Sequence, residues 1–229
     1  MAAHMDRIKL LVLGDSGVGK STFVNSLVSQ SPCYNCSSTI GASIEVLPYT
    51  YSGQHGHSRD VFLEFWDVGG SSGNKHSRGI FYSNINGLIL VHDLSNRKSF
   101  TNLQFWLKEV LNAGRQEMTG VSISGTKERN SNYFEENITR FPILVLGLKE
   151  GQTLQDQSYK TTCHIGLTDD AEVFFVDMNC FQESQLLTTS NKWNALSSYF
   201  EKVIENRFYP SGRNFTQENE YWRGRKKVF

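Results

Sequence analysis

Cysteine is scarce in this chain. Four in 229 residues, Cys33, Cys36, Cys163 and Cys180, are too few for the disulfide framework of a secreted protein of this size. A reducing cytosol is the simplest inference, and a cytoplasmic location is expected. The spacing Cys33-x-x-Cys36 would suit a redox pair or half of a metal site. No second Cys or His pair stands at ligand spacing, so ordinary free thiols are the expectation. Net charge is lacking too. Lys+Arg and Asp+Glu balance at 23 each, which removes the electrostatic argument for nucleic acid or an acidic substrate. No apolar run reaches membrane-spanning length, and residues 1–7 are too polar for a signal peptide. Without secretion, the glycosylation-type triplets at Asn35, Asn137 and Asn214 carry no weight. A prenylation box needs a cysteine four places from the end, where Lys226 stands, so no prenyl anchor is expected. The basic run Arg223, Arg225, Lys226 and Lys227 leaves room only for weak, salt-sensitive contact with anionic lipid or an acidic partner.

What the sequence does have is a core. Hydrophobic residues make up 38% and aromatics 12%, in a length that suits one domain with some excess. The most informative stretch is Gly14-Asp15-Ser16-Gly17-Val18-Gly19-Lys20-Ser21, with Thr22 following. It has the spacing G-x-x-x-x-G-K-[ST] of a phosphate-binding loop. The apolar run 8–13 before it reads as a buried strand. Residues 21–29 after it read as a helix with Val24, Leu27 and Val28 on one face. Glycines let backbone N–H groups turn inward around phosphates, and the new helix points its positive end at them. Lys20 supplies a point charge for the terminal phosphates, and the Ser21 hydroxyl is a Mg²⁺ ligand in such loops.

Downstream, residues 43–51 and 60–66 read as an antiparallel hairpin around a Gly/His-rich turn. Asp67-Val68-Gly69-Gly70 follows directly, and a glycine- and serine-rich stretch runs to about Arg78. Residues 86–92 and 142–147 read as buried strands. Residues 99–111 form an amphipathic helix on Phe100, Leu103, Trp106, Leu107 and Val110. Residues 112–140 read as a polar insertion loop, 148–171 as a loop with a weak helix, 172–176 as a short strand, and 191–208 as the last helix. Strands alternating with helices imply an α/β fold: a six-stranded, mixed but mostly parallel sheet covered on both faces, with one antiparallel edge strand. Residues 1–208 would form the domain and 209–229 a tail. Ligands of such sheets sit at the carboxyl ends of the strands, where the phosphate loop and Asp67-x-x-Gly70 both fall.

Three stretches carry a family resemblance. The phosphate loop, Thr39-Ile40-Gly41, and Val91-His92-Asp93-Leu94-Ser95-Asn96-Arg97-Lys98-Ser99-Phe100 are similar to those of a small GTPase, and among these a Rab, over residues 7 to about 208. The resemblance implies a P-loop NTPase of the small-GTPase fold that binds GTP or GDP with Mg²⁺. It makes Thr39 the threonine that closes on the metal, and Asp67 the acid that holds the metal through water. It makes Gly70 the glycine whose N–H senses the γ-phosphate, so that loss of that phosphate releases two loops to or from protein effectors. The branch it most resembles further implies self-association as a homodimer and a link to other small GTPases.

The chain also departs from the family. Ser71 stands where a glutamine orients the attacking water, so no catalytic residue is assigned and hydrolysis should be slow. The guanine-reading Asn-Lys-x-Asp is represented by Leu148-Lys149-Glu150-Gly151, in which only the lysine matches. The loop that touches the base through backbone groups has only Asn179 and Cys180 as candidates. The alternatives are therefore an atypical nucleotide switch and an interaction or dimerisation scaffold in which the nucleotide is structural. A phosphoryl-transferring kinase would need an arginine-rich lid, and none is evident.

The base should be read weakly, because Gly151 cannot accept the two guanine N–H groups that a carboxylate would. In competition titrations with Mg²⁺, a GTP-over-ATP preference of roughly ten to a hundred is expected, rising in Gly151→Asp, since each remaining backbone hydrogen bond contributes about 1 kcal/mol. A wild-type preference above about a thousandfold, unmoved by the substitution, would mean that another residue reads the base.

Overall fold

β-Branched and leucine-rich strands dictate the architecture. In β1 (Asp6–Leu13), Ile8, Leu10 and Val12 bury on one face while Leu11 and Leu13 bury on the other. β4 (Gly87–Asp93) and β5 (Ile143–Leu148) are buried along nearly their whole length. Strands apolar on both faces need cover on both, which is the condition of a parallel sheet. The computed structural model, which describes residues 5–53, 58–74, 77–119, 141–148, 172–180 and 189–209, has this form. With β2 (Ala42–Ser52), β3 (Ser58–Val68) and β6 (Val173–Met178), the six strands lie in the order β2-β3-β1-β4-β5-β6. Every pairing is parallel except β2 with β3, the expected hairpin. Pro48, which has no N–H for a ladder, sits in the middle of the edge strand β2 opposite Phe62.

α1 (Lys20–Ser29) and α3 (Asn191–Phe208) cover one face with Phe23, Val24 and Leu27, and with Leu196, Tyr199, Phe200, Val203 and Ile204. α2 (Arg97–Thr119) covers the other with Leu103, Trp106, Leu107 and Val110. Tyr199 is fully buried and donates from its hydroxyl to the Leu88 carbonyl at 3.1 Å. α3 starts on a serine cap, Ser190 Oγ accepting from Trp193 N.

Two local readings change. α2 runs on to Thr119, past the point where the sequence reading begins a loop. Asn112 and Gly114 blur the apolar period there, yet Ala113 still packs on the core, and Arg, Gln, Glu and Met are good helix formers. After Gly70, two short 3₁₀ turns, Ser72–Asn74 and Arg78–Phe81, stand in and just after the stretch read as glycine- and serine-rich. The rest of the insertion, the weak helix expected in 148–171, and the tail from residue 210 lie outside the described residues.

Near the carboxyl ends, His92, Gly147 and Asp177 stand in register across β4, β5 and β6. A Cβ on Gly147 would lie 2.5 Å from Asp177 Oδ1 and 3.1 Å from His92 Nε2, so the glycine lets the two side chains meet above it. His92 is buried, its ring edge-on to Phe100, and its Nδ1 has no partner among the described residues. Burial lowers its pKa below the ordinary 6.5, and Asp177 opposes that shift. A lowered native pKa means that the native state favours neutral imidazole. Its contribution is therefore complete above pH 6.5 and lost as the pH falls below it. Unfolding at pH 7 and at pH 5.5 should show a loss of stability of up to about 1.4 kcal/mol per pH unit, part of which His92→Phe removes. An identical pH profile in the variant would show that His92 does not titrate on unfolding.

Candidate functional site

The phosphate loop joins β1 to α1 as its residue types require. Gly17 and Gly19 adopt left-handed backbone angles, φ 80° and 95°, that side-chain-bearing residues rarely take. Gly19 is the N-cap of α1, its carbonyl accepting from Phe23 N at 2.8 Å. Val18 is buried and anchors the turn, while Ser16, Gly17, Gly19, Lys20, Ser21 and Thr22 line an open cavity of about 570 Å³. Its other wall is Cys36 to Ile40 and Gly69 to Ser71. This is the size of a small-molecule site.

Lys20 is 6% exposed, and its ammonium donates to the carbonyls of Gly14 and Asp15 at 2.9 and 2.8 Å. Burial lowers its pKa, countered by the charges of Asp67 and Asp15 and reinforced by Arg78. Facing it, three residues predicted as metal ligands come together. Asp67 Oδ2 accepts hydrogen bonds from Ser21 Oγ and from Thr39 Oγ1, the latter at 2.9 Å, and the two hydroxyls are 2.8 Å apart. Asp67 is 2% exposed, yet its Oδ1 has no partner among the described residues. A buried, unsatisfied carboxylate oxygen beside two hydroxyls is an oxygen-only donor set, which fits Mg²⁺ and its waters.

Glycines set how closely the walls approach. A Cβ on Gly70 would lie within 2.5–2.7 Å of Gly14 O, Ser16 N and Asp15 C, so the 69–71 segment lies backbone to backbone against the phosphate loop. Gly69 donates to the Gly41 carbonyl at 2.9 Å, tying it to the loop that carries Thr39.

The base side is less complete. Leu148 is buried at the end of β5, and its Cδ1 lies 3.1 Å from where a Cβ on Gly19 would be. It packs on the phosphate loop where an asparagine would offer hydrogen bonds. Asn179 and Cys180 follow β6 and are 4% and 3% exposed. Burial pushes the Cys180 thiol up to about 12, which makes it inert. Lys149 and Glu150, and with them Gly151, lie outside the described residues.

The expectation of free thiols fails at Cys33 and Cys36, which the structure joins as a disulfide. The reason is local: a four-residue turn brings their Cα atoms to 6.6 Å, within bridging range.

Sequence reasoning missed Arg78, read as the end of a loose glycine- and serine-rich stretch. It is 5% exposed, with its guanidinium bonded through Nε and Nη2 to the two oxygens of Glu109 on α2, the second at 2.7 Å. Nη1 donates to the Ser71 carbonyl at 3.1 Å, Tyr82 donates to Glu109 at 2.8 Å, and the Trp106 ring lies 4.1 Å from the guanidinium. Trp106 Nε1 and Asn102 Nδ2 in turn donate to the two oxygens of Asp15, at 2.9 and 2.7 Å. One face of α2 thus holds both the phosphate loop and the segment after Gly70.

The family model of the Ras of Complex, Roc, domain of DAPkinase matches residues 9–128. Rab-like protein 3 of Bos taurus is 36% identical over 214 residues, covering 90% of this chain and 88% of that protein. Rab-like protein 3 of Xenopus tropicalis is 38% identical over 217 residues, covering 92% and 90%. Small GTPase-like protein LIP2 of Arabidopsis thaliana is 46% identical over 112 residues, covering 45% and 34%.

Arg78→Ala would leave the shielded Glu109 carboxylate short of its cation. A loss of about 3 kcal/mol in urea unfolding is expected, with faster hydrogen exchange over residues 77–82. Arg78→Lys should recover only part, because an ammonium cannot make the fork. Stability of the alanine variant within 0.5 kcal/mol of wild type would show that the ion pair is not what seats this segment.

Proposed function

The chain belongs to the Rab-like small GTPases, and from that premise we propose that it is an atypical nucleotide switch, binding a guanine nucleotide with Mg²⁺ and presenting its two loops to protein effectors or other small GTPases. The observation that carries this reading is that Lys20, Ser21, Thr39 and Gly70 line one cavity at the carboxyl ends of the strands, with Asp67 bonded to Ser21 and Thr39. In this reading, backbone N–H groups of residues 15–20 and the Lys20 ammonium bind phosphate oxygens. Ser21 and Thr39 offer hydroxyl oxygens to the metal, and the Asp67 carboxylate orients its water. When bound, Mg²⁺ neutralises charge on the terminal phosphates. Thr39 and Gly70 are the two points where a lost phosphate would be felt.

Hydrolysis is slow in this proposal, because the Ser71 side chain is too short to orient a water. Turnover should stay on the ~10⁻⁴ s⁻¹ scale of an unaided small GTPase unless a partner supplies the missing groups. In this proposal the domain spans residues 1–208, with the tail 209–229 after it, and the protein works in the cytoplasm. Among the described residues no helix is long and apolar enough to cross a membrane.

A specific observation also favours the scaffold reading, in which the nucleotide is structural and the chain pairs with itself or with another small GTPase. Ile40, on the cavity wall, is 89% exposed, and Ile44, Val46 and Ile80 are further exposed apolar residues. Retained ligand separates the readings. A stoichiometric guanine nucleotide in the denatured extract of protein purified without added nucleotide supports the switch, and an empty protein supports the scaffold.

Lys20→Ala removes the side-chain cation of the loop, and Ser21→Asn disturbs the hydroxyl beside Asp67. Each should weaken nucleotide binding ten- to a hundredfold or more in calorimetry, since a charge-assisted hydrogen bond is worth about 1.5–3 kcal/mol. Binding equal to wild type in both would remove the phosphate-loop assignment.

A further inference from the structure

The loop between α1 and Thr39 has neither helix nor strand from Ser31 to Ile40. It is held beside the cavity by a short series of contacts. Ser31 N donates to the Ser26 carbonyl at 3.2 Å, and Cys33 N donates to Ser26 Oγ at 2.9 Å, Ser26 being fully buried in α1. Asn25 Nδ2 reaches Cys36 Sγ at 3.7 Å, a weak hydrogen bond. Three residues further on, Thr39 meets Ser21 and Asp67. The Cys33–Cys36 disulfide lies between these two sets of anchors, and Cys36 itself lines the cavity. Both cysteines are half-buried, so small thiols and disulfides can reach them, in contrast to the buried Cys180. Within reducing compartments, disulfides are usually transient or redox-sensing.

We propose that Cys33 and Cys36 are a reversible redox site whose disulfide restrains the loop carrying Thr39, so that oxidation slows and reduction speeds the escape of nucleotide from the cavity. The proposal rests on the nucleotide-binding reading above. The chemistry is thiol–disulfide exchange with a low-molecular-weight disulfide such as oxidised glutathione. One cysteine thiolate attacks the glutathione disulfide, a mixed disulfide forms and one glutathione thiol leaves. The second cysteine thiolate then attacks the protein sulfur of that mixed disulfide, closing Cys33–Cys36 and releasing the second glutathione. Two electrons pass from the two cysteines to the glutathione sulfurs, and the protons of the two cysteine thiols are taken up by the departing glutathione thiolates. A dithiol reductant reverses the sequence.

With the disulfide closed, Thr39 is three residues from a cross-linked turn that is tied to α1. With it open, Cys36 keeps only the weak contact from Asn25, and the segment that places Thr39 gains backbone freedom. Local order of this kind couples to ligand escape, and a change of about tenfold in release rate is the scale of such couplings.

The test uses the full chain loaded with a fluorescent GDP analogue and incubated in oxidised or reduced glutathione. Differential alkylation and mass spectrometry report the state of Cys33 and Cys36, and a chase with unlabelled GDP reports release. The expected result is a Cys33–Cys36 linkage in the oxidised sample and release about tenfold faster in the reduced one. Cys33→Ser, which removes the bridge from outside the cavity lining, should release at the reduced rate in both buffers. Alkylated thiols at both positions in the oxidised buffer, or equal release from the two states, would overturn the proposal. If the protein takes up no nucleotide in either state, it is the nucleotide-binding reading that fails. Hydrogen exchange over residues 31–41 then decides this inference alone: slower exchange in the oxidised protein supports it, and equal exchange overturns it.

Discussion

The Asp67 carboxylate is the point on which the site depends. It is buried almost completely at the end of β3, and it accepts from hydroxyls on two other segments, one at the start of α1 and one in a loop with no secondary structure. A buried carboxylate is costly unless it is bonded and its charge is balanced. Here the bonds come from Ser21 and Thr39, and its charge is the largest influence keeping the nearby Lys20 protonated against burial. The acid's charge thus offsets part of what burial costs the lysine. The free Oδ1 is the remaining, unsatisfied half of that arrangement. Remove the carboxylate, and the loop carrying Thr39 loses one of its few fixed points.

Much of this was legible in the sequence, for physical reasons that can be named. The strand–glycine–helix order around Lys20 is local, and local periodicity and turn chemistry leave a direct trace. The meeting of Ser21, Thr39 and Asp67 was legible only through the resemblance, since residues 18, 28 and 46 positions apart share no period. What stayed hidden is of the same long-range kind without a motif to announce it. Arg78 finds Glu109 across 31 positions, and Trp106 finds Asp15 across 91. Trp106 was read as core, and its ring is core, but its indole N–H is also one of two donors on the phosphate-loop acid. The end of α2 was misjudged because a polar last turn looks like a loop when only apolar period is counted.

Side-chain absence matters as much as side-chain chemistry along the upper rim of the sheet. Gly14 leaves no room for a Cβ against the Val91 carbonyl, Gly70 none against the phosphate loop, and Gly147 none between Asp177 and His92. These are contacts between β1, β3, β4, β5 and β6 at the end where the cavity opens. Close backbone approach of this sort resists small displacements, because a packed rim has few intermediate arrangements. The rigid rim is held by glycine and by α2, while the loop after α1 is held by a handful of polar bonds and one disulfide. The contrast assigns the fixed and the adjustable walls of the cavity to different parts of the chain.

β2 forms the outer boundary of the sheet, and Pro48 stands at its middle, exposed, with no donor to offer a neighbouring strand. A second molecule cannot simply continue the sheet there, since the ladder it would need is interrupted where it should be strongest. Open-ended stacking of copies edge to edge is thereby blocked. The apolar side chains beside that edge, Ile44 and Val46, stay available to a partner that approaches face-on. The proline thus disfavours growth of copies into a fibre, whatever binds on the face beside it.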